Sequence, residues 1–155
     1  MSKFKKIGII LTVVVLTFLL TGCGSKSVKT TKDFTALANS YNLSTQNVKE
    51  SQYSSDDSIK EGYVAYNNNW QIEFYVLDNE STASSNFDTN VKIFEDSKGN
   101  SSSYASVEGK NYEAYTLISN GQYMYICRVE NTFIYANVSE EYKDDVKSFI
   151  KEFGY

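Results

Sequence analysis

The stretch YEAYTLISNGQYMYICRVENTFIYANV, residues 112–138, decides the fold. Asn120-Gly121 is the strongest short hairpin signal a chain can carry, because both residues accept the positive φ that a turn between twisted strands requires. Glu130-Asn131 can serve as a second turn. The flanking runs Tyr112–Ile118, Gln122–Val129 and Thr132–Val138 are rich in aromatic and β-branched residues and read as a three-stranded antiparallel meander. Counting outward from both turns sets Glu113 opposite Arg128, Ala114 opposite Cys127, and Cys127 opposite Ile134. A slip by one residue would exchange the two faces, so the count also assigns each side chain to a face. Tyr115, Ile126, Phe133 and Tyr135 share the face that carries Glu113 and Arg128. The charged pair marks that face as the expected solvent side, and makes those four residues a candidate interaction patch.

Upstream, Trp70, Ile72, Phe74 and Val76 alternate with Gln71, Glu73, Tyr75 and Leu77, the period of a strand. Asn67-Asn68-Asn69 before them predicts a three-residue hairpin loop, with Tyr66 opposite Trp70, Val64 opposite Ile72, and Trp70 buried beside Ile72 and Phe74. Three apolar stripes recur at helical spacing. Phe34, Leu37, Ala38 and Tyr41 follow a cap at Thr30 or Thr31. Ala83, Phe87, Val91 and Phe94 follow Asp78–Ser81. Tyr142, Val146, Phe149, Ile150 and Phe153 follow Ser139, expected as the cap, and stop at Gly154. Residues 44–60 read as a loop with a short irregular strand, and residues 100–107 as a loop. The expected fold is α+β: an antiparallel five-stranded sheet with helices packed on one face, in the order α-β-β-α-β-β-β-α.

The N-terminal stretch has another character. Lys3, Lys5 and Lys6 precede Ile7–Leu20, 14 residues interrupted only by Gly8, Thr12 and Thr17. A spanning helix needs about 20 apolar residues, so this is the length of a secretory signal core. It ends in Leu20-Thr21-Gly22-Cys23, which resembles the lipobox of bacterial lipoproteins. Residues 1–22 then read as a signal peptide, residues 23–31 as a lipidated cysteine with a flexible tether, and residues 32–155 as a single domain. The 133 residues after the leader carry 12 basic against 19 acidic side chains, a net charge of −7. Such a balance argues against nucleic acid as a partner and against docking on an anionic bilayer beyond the lipid itself.

The chemistry the chain can perform is narrowed by what it lacks. Histidine is absent, which removes histidine-based nucleophilic triads and two-histidine zinc sites. No glycine-rich phosphate loop is present. Cys127 is the only thiol besides Cys23, and in mid-strand without a CxxC partner it reads as a small buried hydrophobe. Asp56-Asp57, Glu140-Glu141 and Asp144-Asp145 are adjacent pairs that read as solvated charge, since catalytic carboxylates need burial or a close partner. No catalytic, cofactor-binding or metal-ligating residue is therefore expected.

Together with the lipobox, Phe34…Tyr41, Gln71–Leu77, Phe87…Phe94-Glu95 and the Tyr142…Phe149…Gly154-Tyr155 end resemble small lipoproteins of Gram-positive Firmicutes. That resemblance covers nearly the whole chain. It implies lipid on Cys23 and a place on the extracytoplasmic side of the cell membrane, and it supplies no catalytic residue. The expected function is a non-enzymatic binding or protein-interaction module with a partner in the cell envelope. The alternative is a carboxylate-dependent envelope hydrolase, which would need two carboxylates converging in one pocket.

Overall fold

The meander forms in the expected register. In the computed structural model, which describes residues 24–155, β5 (Tyr112–Ser119), β6 (Gln122–Val129) and β7 (Thr132–Ser139) pair antiparallel. Glu113 faces Arg128, Ala114 faces Cys127, and Cys127 faces Ile134. Asn120 (φ 53°) and Gly121 (φ 73°) carry the first turn, and Glu130 (φ 52°) carries the second. The left-handed backbone at Glu130 costs a non-glycine residue about 1–2 kcal/mol. Its N–H donates to Asn111 O at 3.0 Å and its carboxylate accepts from Asn111 Nδ2 at 3.0 Å, which holds that turn against the start of β5.

The sheet has seven strands, not five. β2 (Ile59–Tyr66) and β3 (Gln71–Leu77) form the upstream hairpin, and β3 pairs with β7 to join it to the meander. Two further strands, β1 (Ser44–Asn47) and β4 (Ser102–Glu108), close the edges and give the antiparallel order β1-β2-β3-β7-β6-β5-β4. β4 falls where the sequence predicts loop, and β1 within the stretch read as a loop with a short irregular strand. An edge strand pairs on one side only, and most side chains of these two are exposed, so neither shows an apolar alternation. Backbone hydrogen bonds to β2 and β5 hold them, and backbone bonds leave no mark in the side-chain pattern.

The helices lie on both faces of the sheet, which corrects the one-sided expectation. On the first face sit α1 (Thr31–Ser40) and α4 (Lys143–Phe153); on the second sit α3 (Glu80–Asp96) and the single turn α2 (Val48–Ser51). The first core centres on Phe34, Phe74 and Phe149, all fully buried. The Phe149 ring lies edge-on to Phe34 at 5.7 Å, to Tyr41 at 5.2 Å and to Trp70 at 6.3 Å. The second core joins Ala83, Phe87 and Phe94 of α3 to Leu117, Met124 and Ile126. The run Tyr123-Met124-Tyr125-Ile126-Cys127 is apolar on both faces of β6. An uninterrupted apolar run belongs to a strand covered on both sides.

The upstream hairpin is one residue out of the expected register. Tyr66 pairs with Gln71 and Ala65 with Ile72, around a four-residue loop. Asn67 Oδ1 accepts from the backbone N–H of Asn69 at 2.8 Å and of Trp70 at 3.0 Å, an Asx turn that takes Trp70 out of the strand. Trp70 is still buried, with Ile72 and Phe74, whereas Val64 goes to the second face. Thr30 caps α1 through a capping box with Asp33, Asn79 caps α3, and Gly154 (φ 93°) ends α4. Ser139 makes no cap bond; a 3₁₀ turn over Glu140–Tyr142 leads into α4 instead.

Candidate functional site

On the first face, α1 and α4 leave β4 and β5 uncovered. The step down from α4 to the sheet makes a cleft of about 440 Å³, and a second cavity of about 230 Å³ continues it over Val107 and Ala114 toward Tyr112. Sheet register builds the floor. Ala105 of β4 pairs with Thr116 of β5, which pairs with Tyr125 of β6, while Ile118 pairs with Tyr123. Small side chains on the two outer strands keep the floor low, and Ile150 and Tyr155 stand at its inner wall. Burial pushes the phenols of Tyr123 and Tyr125 well above their usual titration range, so the floor carries no charge near neutral pH.

The rim is basic. Lys143, Lys147 and Lys151 of α4 stand at i, i+4 and i+8, one stripe on the helix surface. Lys26 faces them from the segment that enters the domain. Its backbone N–H donates to Asn111 Oδ1 and its carbonyl accepts from Asn111 Nδ2, both at 2.9 Å. Its ammonium donates to Gly154 O at 3.1 Å and lies 5.0 Å from the centre of the Tyr112 ring. Gly24 O accepts from Lys110 N at 3.3 Å, and Lys29 N–H donates to the Tyr155 hydroxyl at 3.1 Å. Residues 24–30, which the composition reads as a tether, thus run along the domain in a series of specific bonds.

Among the described residues, no acidic side chain lines the cleft. Lys143 has Glu140 at 3.8 Å, and among the described residues Lys147 and Lys151 have no ion-pair partner. A groove with a neutral aromatic and aliphatic floor under four ammonium groups can hold an apolar body and bind an acidic group at its edge. Helical spacing of the three α4 lysines was readable in the sequence. Their meeting with Lys26 and with β4 was not, because β4 carries no apolar alternation.

The residues singled out from the sequence fare differently. Cys23 lies outside the described residues. Tyr115, Ile126 and Phe133 are buried and Tyr135 is half-buried, so the candidate patch is not a surface. The Phe94 ring of α3 sits 5.6 Å from that of Tyr135 and 6.5 Å from that of Tyr115. Arg128 Nη2 does reach Glu113 Oε1, at 2.7 Å, but this pair marks the rim of a covered face rather than an open one. Among the described residues, no group of three or more potential metal-ligating side chains comes together, and no helix is long and apolar enough to cross a membrane.

Cys127 is buried behind the cleft floor, and burial pushes its thiol from the ordinary 9.0 up to about 11. The folded state therefore binds the thiol proton more tightly than the unfolded state. This contribution is complete below about pH 9 and is lost as pH rises to about 11, amounting to roughly 2–3 kcal/mol at most. Urea midpoints should fall across that window in the wild type and fall less in Cys127→Ala. Iodoacetamide should label the native thiol no faster than the protein unfolds; rapid labelling at mildly alkaline pH would place the thiol at the surface. No protein-family model matches this chain, nor does any curated protein or solved structure.

Proposed function

We propose that this protein is a lipid-anchored, extracytoplasmic binding module whose ligand is an amphiphilic anion, an acyl chain bearing an acidic group, held in the lysine-rimmed cleft. One observation carries the reading: on a domain of net charge −7, four ammonium groups gather around an apolar floor that no acidic side chain among the described residues lines, and only Lys143 has an ion-pair partner, Glu140. Unselected placement on an acidic surface would intersperse the two signs. The ligand's chain lies on Ala105, Thr116 and Ile118, and its acid meets Lys147 and Lys151. The anchor accords with the same reading, since lipid on Cys23 would tether the chain three residues before Lys26, which lines the cleft.

The test uses a dansylated fatty acid and its uncharged methyl ester. The acid should bind in a saturable way, more weakly as salt rises, and the ester should bind at least several-fold less. Lys147→Glu with Lys151→Glu should weaken the acid about tenfold, from two exposed charge reversals each worth about 0.5–1 kcal/mol, and leave the ester unchanged. Equal affinity of acid and ester, or of wild type and variant, would remove the cleft from the account. For the anchor, Cys23→Ala should release the protein from the membrane fraction, and incorporation of labelled fatty acid by that variant would contradict it.

A further inference from the structure

On the opposite face of the sheet, α3 and α2 leave a second groove over β2, β3 and the end of β7. It consists of two adjoining cavities of about 390 and 330 Å³ that share Tyr53, Glu73 and Tyr75. From this groove we infer a second binding site, one for an uncharged oligosaccharide.

The strand period places Gln71, Glu73 and Tyr75 on this face, and cross-strand pairing sets Glu73 between Val64 and Tyr135. Glu73 is held ready in mid-groove. One carboxylate oxygen accepts from the Tyr75 hydroxyl at 2.7 Å and the other from Gln71 Nε2 at 3.0 Å. Gly62 faces Tyr75 across β2; a Cβ there would meet the Tyr75 ring at 2.9 Å, so glycine is what lets the ring lie along the strand. Phe133 stacks on Tyr75 at 4.9 Å, both rings buried, and Tyr53 meets Tyr75 edge-on at 6.0 Å, so the buried pair fixes the partly exposed Tyr53 ring at the groove wall.

The rest of the lining identifies the ligand class. Five carboxamides line the groove, those of Gln46, Gln52, Gln71, Asn86 and Asn90, against two carboxylates and no lysine or arginine. Asn86 and Asn90 give their amide N–H groups to helix carbonyls at 2.9 and 2.8 Å, which leaves their oxygens as acceptors. An anion would find no cation in the groove. A compact cation would use the two carboxylates and leave the five amides unpaired. A pyranose chain uses all three features: its apolar C–H faces lie on the accessible rings of Tyr53, Tyr66 and Tyr135, and its paired hydroxyls bridge carboxamide and carboxylate oxygens. The adjoining cavities suit an extended chain rather than a single small molecule. This site shares no lining residue with the lysine-rimmed cleft.

Calorimetric titration of the purified full-length protein with chitotetraose, cellotetraose and maltotetraose tests the proposal, with choline as the cationic probe. At least one tetrasaccharide should bind saturably with Kd of about 1 mM or tighter. Glu73→Gln, which keeps the side-chain shape, should weaken that binding about tenfold. Tyr53→Phe, which keeps the ring, should weaken it less than Tyr53→Ala, whose unfolding midpoint checks that it is folded. Absence of binding by all three sugars overturns the proposal. So does binding that neither Glu73→Gln nor Tyr53→Ala changes, or choline binding tighter than any sugar.

Discussion

Replacing Phe149 by alanine should lower the free energy of unfolding by about 3–5 kcal/mol, a large part of the roughly 5–15 kcal/mol that holds a domain of ordinary stability together. Phe149 is fully buried, and its ring touches those of Phe34, Tyr41, Trp70 and Phe153, so four aromatic partners lose contact at once. The packing is also shared between three elements: α4 supplies Phe149, α1 supplies Phe34, and the β2–β3 loop supplies Trp70. None of these three can move into the space without breaking its own hydrogen bonds, which keeps the cavity open and the cost near the top of the range. Urea denaturation followed by circular dichroism measures the change. Phe149→Leu, which keeps most of the volume, should recover more than half of it; an alanine variant within about 1 kcal/mol of wild type would mean that α4 does not pack as described.

An aspartate at Ile126 should prevent folding or cost on the order of 4–5 kcal/mol. Ile126 is fully buried in mid-strand on the second face, beside Tyr115 and Tyr135 and within the core that α3 closes. A carboxylate there has lost its water, and the nearest cation on the face, Arg128, is already paired with Glu113. Ile126→Val, in contrast, should cost about 0.5–1.5 kcal/mol. The pair of variants separates the two-sided sheet from a one-sided one, since an aspartate on an open sheet face would change stability by about 0.5 kcal/mol or less. One-dimensional proton spectra would show the difference directly: dispersed methyl signals for valine, and a collapsed spectrum for aspartate.

Which sheet face is open cannot be read from one ion pair. Glu113 and Arg128 do sit opposite each other, as turn counting predicts, yet they accompany Tyr115, Ile126, Phe133 and Tyr135 into a covered face. A charge paired directly across two strands tolerates partial burial, and Arg128 is largely covered while Glu113 keeps more of its access to water. The stronger signal was the unbroken apolar run in β6, together with the need of a 17-residue amphipathic helix to bury Ala83, Phe87 and Phe94. Read together, they require a second layer.

The two grooves were legible only in part. The lysine stripe at 143, 147 and 151 is a regular helical spacing, and Gln71, Glu73 and Tyr75 are a regular strand spacing, so each half of each site is written locally. The other halves come from Lys26, β4, Tyr53, Asn86 and Asn90, and these are distant in the chain.

By itself the sequence determined the local elements whose causes are local. Two tight turns set the meander register, because the count of residues between paired positions leaves no freedom. Asn79 and Thr30 started helices and Gly154 stopped one, because each satisfies or terminates a neighbouring backbone bond. The tertiary structure alone decided the strands β1 and β4, the burial of both sheet faces and the two grooves. Edge strands are held by backbone bonds that every residue except proline can make, and a groove is the space left where a helix on one side of the sheet stops short of its edge. Neither cause resides in any single stretch of side chains.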